Sequence, residues 1–177
     1  GAALVASPSI SMVSFTGSSL TGSKIMEASA PKLSQVALEL GGKSAMVIFE
    51  DTDIERAVEA TIKGCLTNGG QICTAHTRLI VQEGIKDKLL TKLKNVLEKI
   101  PYCIDPITER ERGDRAWETG VTDVIQPVVS ASQHKKILGF LNEVEAEGIE
   151  IYTGGGVPDL ADVKKSGGYF IQPTILT

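Results

Sequence analysis

The sequence predicts an α/β fold with a mostly parallel sheet flanked by helices. Along the 177 residues, segments with the two-residue period of a strand alternate with segments of helical period. Ala45 to Phe49 is also a continuous apolar run, which is typical of a strand buried on both faces of a parallel sheet. Because parallel strands are joined by long crossovers, the helical segments between them are expected to be those connections.

The composition limits the class of protein. Hydrophobic residues make up 42% and charged residues 23%, which is typical of a soluble globular chain. The net charge is −4 and no basic face is concentrated, so we expect no nucleic-acid partner. No apolar run approaches the roughly 20 residues that span a bilayer, so we expect no membrane partner.

Cysteine and histidine usage indicates a reducing compartment for the protein, and it predicts no metal site in the chain. Three cysteines form a poor disulfide framework, so the cytoplasm or an organelle interior is expected. His76 and His134 lie far apart in sequence and no Cys/His spacing matches a zinc site. We therefore expect no metal.

The first 43 residues predict a strand, a turn, a helix and a second strand. Ser11 to Phe15 alternates apolar and polar residues, as a strand does. Thr16-Gly17-Ser18 follows as a turn, and a helix begins near Ser18 or Ser19 and continues to Met26. Gln35 to Leu40 predicts a strand that Gly41-Gly42 stops.

After the apolar run comes an amphipathic helix. Thr52 and Glu55 have the spacing of a capping box, in which both side chains satisfy free N–H groups of the first turn. The helix is predicted to end before Asn68-Gly69-Gly70. Its apolar stripe consists of Ile54, Ala57, Val58, Thr61, Ile62, Cys65 and Leu66.

The second half continues the alternation of helices and strands. The predicted elements are a strand from Thr77 to Val81, a helix from Ile85 to Ile100, a long loop from Pro101 to Val128, a helix from Ser132 to Glu147, a strand from Ile149 to Tyr152, a loop from Gly154 to Gly168 and a strand from Tyr169 to Leu176. The inner face of the Ile85 to Ile100 helix is predicted to carry Leu89, Leu93, Val96, Leu97 and Ile100.

The turn from Phe15 to Gly22 is a candidate anion site. A strand, a glycine-containing turn and a helix N-terminus offer free N–H groups and a favourable helix dipole to a phosphate. Gly–Ser turns before helices are common, however, and the residues alone favour an ordinary turn.

Glu39 is a candidate general base. It stands between two leucines in Leu38-Glu39-Leu40-Gly41-Gly42-Lys43, so it could be a partly desolvated carboxylate able to work near neutral pH. The alternative is a glutamate on the polar face of an alternating strand, and the segment alone favours this alternative.

Cys73 is a candidate nucleophile. It follows a glycine turn after a helix and precedes a strand, which can hold its sulfur at a rim close to backbone N–H groups. The alternative is a buried structural cysteine, as expected for Cys65 in the apolar stripe. Cys103 lies in the long loop without a partner motif.

Together these segments resemble the aldehyde dehydrogenase superfamily. Phe15-Thr-Gly-Ser-x-x-x-Gly22 is similar to its coenzyme turn, Leu38 to Lys43 to its glutamate motif, and Gly70-Gln-Ile-Cys73 to its cysteine motif. Glu39 and Cys73 are 34 positions apart, which agrees with the family's spacing. The likeness extends through Ile48 to Asp53 and the final Gly168 to Thr174, so it covers most of the chain.

The resemblance implies a fold, a chemistry and a set of site residues. The chain would be part of the aldehyde dehydrogenase fold, with Cys73 as nucleophile and Glu39 as the base that activates water. The cofactor would be NAD or NADP, bound by Thr16, Gly17, Ser18, Gly22, Leu40 and Gly41. Gly22 would let its helix pack closely.

Further expectations concern the loop, the substrate and the assembly. Asn68 and Gln71 would shape the cysteine loop rather than react. The substrate would be a small-molecule aldehyde. The segment Gly64 to Asn68 before the cysteine motif and the Gly-rich stretch near Val157 resemble those of the betaine-aldehyde and aminoaldehyde branch. The parent enzyme would be a homodimer or homotetramer.

The family's pattern extends beyond both ends of this chain. Residues 1–43 would then be the C-terminal part of a coenzyme-binding domain and residues 44–177 a partial catalytic domain. Pro101 to Arg112 resembles an insertion before Gly113-Asp114. Two alternatives stay open: an inactive or structural fragment, and a cofactor-independent cysteine esterase acting through Cys73 and Glu39.

Overall fold

A computed structural model of the chain describes residues 1–105 and 124–177 and divides into two compact units. The units are Gly1–Lys43 and Ser44–Thr177, with the same boundary as the two predicted segments. That they are parts of a coenzyme-binding and a catalytic domain stays a prediction. The Gly113-Asp114 segment lies outside the described residues. So do most of the predicted loop and most of the predicted insertion, which both begin at Pro101.

The first unit is a two-stranded parallel sheet with a crossover helix. Its elements in order are α1 (Ala2–Ala6), β1 (Met12–Gly17), α2 (Ser19–Ser29), a 3-10 turn (Ala30–Lys32) and β2 (Gln35–Leu40). The strands pair in parallel from Met12 opposite Gln35 to Gly17 opposite Leu40. The predicted strand–helix–strand order is therefore confirmed.

Helix α1 was not predicted from the sequence. The ammonium group of Lys32 donates hydrogen bonds to the carbonyl oxygens of Val5 (2.6 Å) and Ser7 (2.8 Å). A cation at a helix C-terminus satisfies carbonyls that have no partner within the helix. Because Lys32 comes about 25 residues after α1, this contact has no local signal in the sequence.

The second unit contains the larger core. Its elements are β3 (Ala45–Ile48), α3 (Ile54–Leu66), a 3-10 turn (Thr67–Gly70), β4 (Arg78–Val81), a 3-10 turn (Glu83–Ile85), α4 (Lys86–Leu97), α5 (Ala131–Ala146), β5 (Ile151–Thr153), α6 (Ala161–Ser166) and β6 (Ile175–Leu176). Strands β3 and β4 pair in parallel, whereas β5 and β6 pair antiparallel. The α/β class with mostly parallel pairing is confirmed.

The core lies between β3 and the helices α3 and α4. Its buried members are Ile48, Ala57, Val58, Ile62, Leu89 and Leu93. The α3 members belong to the predicted apolar stripe, so the helical period identified the buried face correctly. On α4, Leu89 and Leu93 point inward as predicted, but Val96 is exposed.

Two predictions about β3 and α3 were wrong in detail. Strand β3 is not buried on both faces, because Val47 is 55% exposed while Ile48 is 5% exposed. The helix cap is Asp53 rather than Thr52: the Asp53 carboxylate accepts hydrogen bonds from the Glu55 and Arg56 N–H groups, both at 3.0 Å. Two adjacent residues both suited to capping cannot be distinguished by spacing alone.

The C-terminal part also differs from the prediction. The predicted loop from Gly154 to Gly168 contains the short helix α6, and the final strand covers only Ile175–Leu176. Pro173 has no N–H for a ladder, and the Gln172 N–H bonds to Gly156 O (2.8 Å) instead of to a strand.

None of the helices in residues 1–105 and 124–177 has the length and apolar character needed to cross a bilayer.

Candidate active site

The predicted coenzyme turn is a strand end followed directly by a capped helix. Gly17 ends β1 and Ser18 caps α2, with its hydroxyl oxygen accepting a hydrogen bond from the Thr21 N–H (3.2 Å). The N–H groups of Ser19 and Leu20 have no acceptor among the described residues. Ser19 and Leu20 are exposed residues, as are Thr16, Gly17 and Ser18.

This helix end can hold an anion. The first turn of α2 contains no acidic residue, so no carboxylate already occupies the positive end of the helix dipole. Two free N–H groups beyond the C-terminal end of a parallel strand are the arrangement that binds phosphate groups in nucleotide sites. The residues present therefore fit the pyrophosphate of a dinucleotide.

Gly22 lets α2 lie against β2. A Cβ atom at Gly22 would come within 2.9 Å of Leu40 Cδ2 and 3.2 Å of Leu40 Cδ1. Both distances are shorter than an ordinary carbon–carbon contact, so a larger residue would force either the Leu40 side chain or the helix to shift. The expectation that Gly22 permits close packing is confirmed.

Glu39 lies beside the coenzyme turn. The register of β1 and β2 places Thr16 opposite Glu39 and Gly17 opposite Leu40, so these predicted site residues are brought together. Gly41 follows β2 and is exposed.

Glu39 itself is exposed within this chain, as expected for a glutamate on the polar face of an alternating strand, the interpretation that the segment alone favoured; the partly desolvated carboxylate is not observed. Burial alternates along β2, with Val36, Leu38 and Leu40 half-buried and Glu39 exposed. The neighbouring leucines lie on the opposite face of the strand because successive side chains alternate.

Cys73 lies in the turn that joins α3 to β4, in the second unit. The preceding 3-10 turn, Thr67–Gly70, contains three consecutive residues with positive φ: Asn68 at 56°, Gly69 at 63° and Gly70 at 73°. A Cβ atom at Gly70 would come within 2.9 Å of the Cys65 carbonyl oxygen. The chain therefore reverses tightly at the end of α3, and the glycine supplies a conformation that other residues rarely adopt.

The three cysteines differ in environment. Cys73 is exposed, whereas Cys65 and Cys103 are half-buried. The Cys65 thiol donates to the His76 carbonyl oxygen at 2.6 Å. In the described part of the chain neither the thiol nor the N–H of Cys73 has a hydrogen-bond partner. An exposed sulfur beside an unpaired N–H is suited to nucleophilic attack and to stabilising an oxyanion.

Asn68 and Gln71 hold the turn together. The Asn68 side-chain amide donates to the Gln71 carbonyl oxygen (3.3 Å), and the Gln71 side-chain amide donates to the Asn68 carbonyl oxygen (3.0 Å). The expectation that these residues shape the loop is confirmed. Sequence reasoning missed a further contact: the Gln71 side-chain oxygen accepts from the Val129 N–H, 58 residues away (2.8 Å).

Comparison with known proteins gives the same family along the whole chain. The sequence profile of the aldehyde dehydrogenase family matches residues 1–177. The chain is 43% identical to aminoaldehyde dehydrogenase 1, peroxisomal, from Pisum sativum, and 41% identical to betaine aldehyde dehydrogenase, chloroplastic, from Beta vulgaris. Each alignment covers 100% of this chain and 32% of the relative.

Solved structures give a matching fold. Betaine aldehyde dehydrogenase from Staphylococcus aureus in complex with NAD+ has a TM-score of 0.82 and 34% sequence identity. The superposition covers 99% of this chain and 32% of that structure. The chain thus spans about a third of the length of the relatives that it matches.

Proposed function

The chain belongs to the aldehyde dehydrogenase family, and on this premise we propose that the complete protein oxidises an aldehyde to a carboxylic acid with NAD or NADP as cofactor. The observation that carries the proposal is Cys73, an exposed cysteine with an unpaired N–H in the family's cysteine motif. The two other cysteines are half-buried, and Cys65 is engaged by a carbonyl oxygen.

Cys73 acts as the nucleophile. Its thiolate adds to the carbonyl carbon of the aldehyde, and the carbonyl oxygen becomes an oxyanion in a thiohemiacetal. The N–H of Cys73, which has no partner among the described residues, donates a hydrogen bond to this oxyanion. Loss of a hydride from the adduct leaves a thioester on the cysteine.

Glu39 acts on the water that releases the product. Its carboxylate takes a proton from the water, whose oxygen then attacks the thioester carbon and displaces the Cys73 thiolate. The exposure of Glu39 leaves its oxygens accessible to water, and its place opposite Thr16 puts it at the edge where a cofactor would lie.

The turn between β1 and α2 would hold the cofactor. The free N–H groups of Ser19 and Leu20 would bind the pyrophosphate, while Thr16, Gly17, Leu40 and Gly41 lie at the same end of the two strands. The chemistry that a bound NAD or NADP supplies is the acceptance of a hydride.

The substrate is an aminoaldehyde or betaine aldehyde. This proposal is supported by the relatives, which carry those names at 41% to 43% identity. A comparison of kcat/KM for an amino-substituted aldehyde and for an uncharged aldehyde of the same length tests it. Equal values for the two would contradict it.

Location and assembly are also part of the proposal. The matched plant relatives are described as peroxisomal and chloroplastic, which supports an organelle interior. The sparse cysteines are equally compatible with the cytoplasm. We propose a homodimer or homotetramer, which sedimentation of the complete protein tests.

Cysteine labelling and variants test the nucleophile. We expect iodoacetamide to alkylate Cys73 at least about tenfold faster than Cys65 or Cys103, because it is exposed and unpaired. In the complete protein, Cys73→Ala should abolish NADH formation from an aldehyde. Cys103→Ala is the matched control and should retain it.

Two results would contradict the proposal. One is aldehyde oxidation by Cys73→Ala at the rate of the unaltered protein. The other is hydrolysis of an activated ester without any reduction of NAD or NADP in the presence of aldehydes, which would favour a cofactor-independent cysteine esterase.

A further inference from the structure

The side chain of Gln71 joins the nucleophile loop to a segment that is distant in sequence. Its Oε1 atom accepts a hydrogen bond from the Val129 N–H at 2.8 Å. Its Nε2 atom donates to the Asn68 carbonyl oxygen at 3.0 Å and lies 3.5 Å from the Pro127 carbonyl oxygen. One amide group therefore fixes the loop both to itself and to residues 127–129.

Residues 127–129 are themselves held in place by hydrogen bonds. Val128 is 7% exposed, and its N–H donates to the Tyr169 carbonyl oxygen at 2.9 Å. Ser130 then caps α5, with its hydroxyl oxygen accepting from the Gln133 N–H at 3.3 Å. Because both ends of the segment are held, the Val129 N–H is a donor at a defined position.

The loop and this segment also share the wall of a pocket that is partly open to solvent. The pocket has a volume of about 120 Å³ and is lined by residues that include Leu66, Gly69, Val128 and Ile137. Side-chain packing therefore fills only part of the space between the loop and the segment. The hydrogen bonds of Gln71 add direct links between the two.

We propose that Gln71 is a positioning residue for Cys73: by binding the Val129 N–H, it sets the place from which the Cys73 sulfur attacks the aldehyde. This inference rests on the proposed function, since it assumes that Cys73 is the nucleophile. Gln71 is two residues from Cys73, so a shift of its backbone is transmitted directly to the sulfur. Such a shift slows attack more than it weakens substrate binding, because bond formation depends on close alignment of the reacting atoms.

The test compares variants of Gln71 in the complete protein. Gln71→Ala removes every side-chain hydrogen bond, whereas Gln71→Glu keeps an oxygen that can accept from the Val129 N–H. Gln126→Ala is the matched control, because Gln126 lies in the neighbouring segment and its side chain makes no hydrogen bond with the described residues. The measurements are the single-turnover rate of acyl-enzyme formation, KM and the midpoint of thermal unfolding.

We expect Gln71→Ala to lower the acylation rate by about tenfold to a hundredfold, with little change in KM. Gln71→Glu should recover part of the rate, and Gln126→Ala should match the unaltered protein. Rates are compared well below the unfolding midpoint of each variant, so that loss of fold does not contribute.

Acylation by Gln71→Ala at the rate of Gln126→Ala would overturn the proposal, as would a rise in KM that accounts for the whole loss of kcat/KM. If Gln71→Ala does not fold, Gln71→Asn replaces it, because its amide is one methylene short of Val129. An unchanged acylation rate in Gln71→Asn is then the contradicting result.

Failure of the positioning role and failure of the proposed function give different results. If Cys73→Ala still oxidises aldehydes, the nucleophile is wrong and Gln71 has no sulfur to position. If Cys73→Ala is inactive while Gln71→Ala acylates normally, only the positioning role is wrong.

Discussion

At the scale of single residues, environment rather than identity separates the three cysteines. Cys65 is half-buried and its thiol is used by a carbonyl oxygen, whereas Cys73 is exposed with neither its thiol nor its N–H engaged among the described residues. Cysteine reactivity depends on access and on stabilisation of the thiolate. Cys73 has that access because it follows the reversal after α3 and lies outside the apolar stripe that contains Cys65.

Gly70 makes that reversal possible, and its replacement should destabilise the folded protein. Its φ is 73°, and a Cβ atom there would lie 2.9 Å from the Cys65 carbonyl oxygen. We expect Gly70→Ala to lower the free energy of unfolding by roughly 1–3 kcal/mol, through backbone strain and this contact. Urea denaturation of the complete protein measures the change.

Gly139→Ala is the matched control for this substitution. Gly139 lies inside α5, and the position that a methyl group would take there has no atom within 4 Å outside the local helix. Alanine is about 1 kcal/mol better than glycine within a helix, so this variant should gain stability. Equal effects of the two substitutions would contradict the role given to Gly70.

At the scale of elements, α3 shows how one hydrogen-bonding side chain defines a helix end. Asp53 caps the helix. The hydrogen bond from the Arg56 N–H is the main reason that the pKa of its carboxyl lies below the usual 3.8, and the bond from the Glu55 N–H lowers it further. Thr52, the residue predicted to be the cap, makes no side-chain hydrogen bond with the described residues.

The cap should make stability depend on pH in acid. Since folding lowers the pKa of Asp53, its contribution is complete above the unfolded value near 3.8 and is lost as pH falls through the folded pKa. We expect Asp53→Ala to lower the urea midpoint at about pH 7 and to differ less from the unaltered protein at about pH 2.

Thr52→Ala is the control for the cap. It removes a neighbouring hydroxyl that has no capping bond, so the urea midpoint should change little at either pH. A larger effect from Thr52→Ala than from Asp53→Ala would restore Thr52 as the cap.

At the scale of the whole molecule, the β3–β4 sheet of the second unit has one covered and one exposed face. Ile48 packs into the core against α3 and α4, whereas Val47 and its strand partner Ile80 are 55% and 51% exposed. Phe49, just beyond the strand, is 61% exposed. Contiguous apolar side chains of this kind are unusual on a free protein surface.

The exposed face should bind a hydrophobic dye. We expect the polypeptide of these 177 residues to enhance the fluorescence of anilinonaphthalene sulfonate, and the double variant Val47→Thr, Ile80→Thr to reduce the signal. Threonine keeps the β-branched shape that suits a strand, so the fold should persist. Val129→Thr is the control, because Val129 is exposed and belongs to neither β3 nor β4; an equal loss of signal there would contradict the assignment.

Local patterns predicted the longer elements well. Strand β2 has the predicted bounds, and the helices α2, α3, α4 and α5 begin within two residues of the predicted starts. Helices α1 and α6 have five and six residues, which is too short for a helical period to be visible. The late start of the last strand depended on Pro173 and on the contact between Gln172 and Gly156, which is a tertiary bond.

The sequence by itself determined the class of the fold and the family, because periodicity and the spacing of motifs are properties of the chain alone. It also identified Cys73, Glu39 and the turn at Gly17 as the residues on which the proposed chemistry depends. Only the tertiary structure decided which cysteine is exposed, that Glu39 lies opposite Thr16 on an exposed face, and that Gln71 reaches Val129. Exposure and contacts between distant segments depend on how the elements pack, and local sequence patterns do not encode that packing.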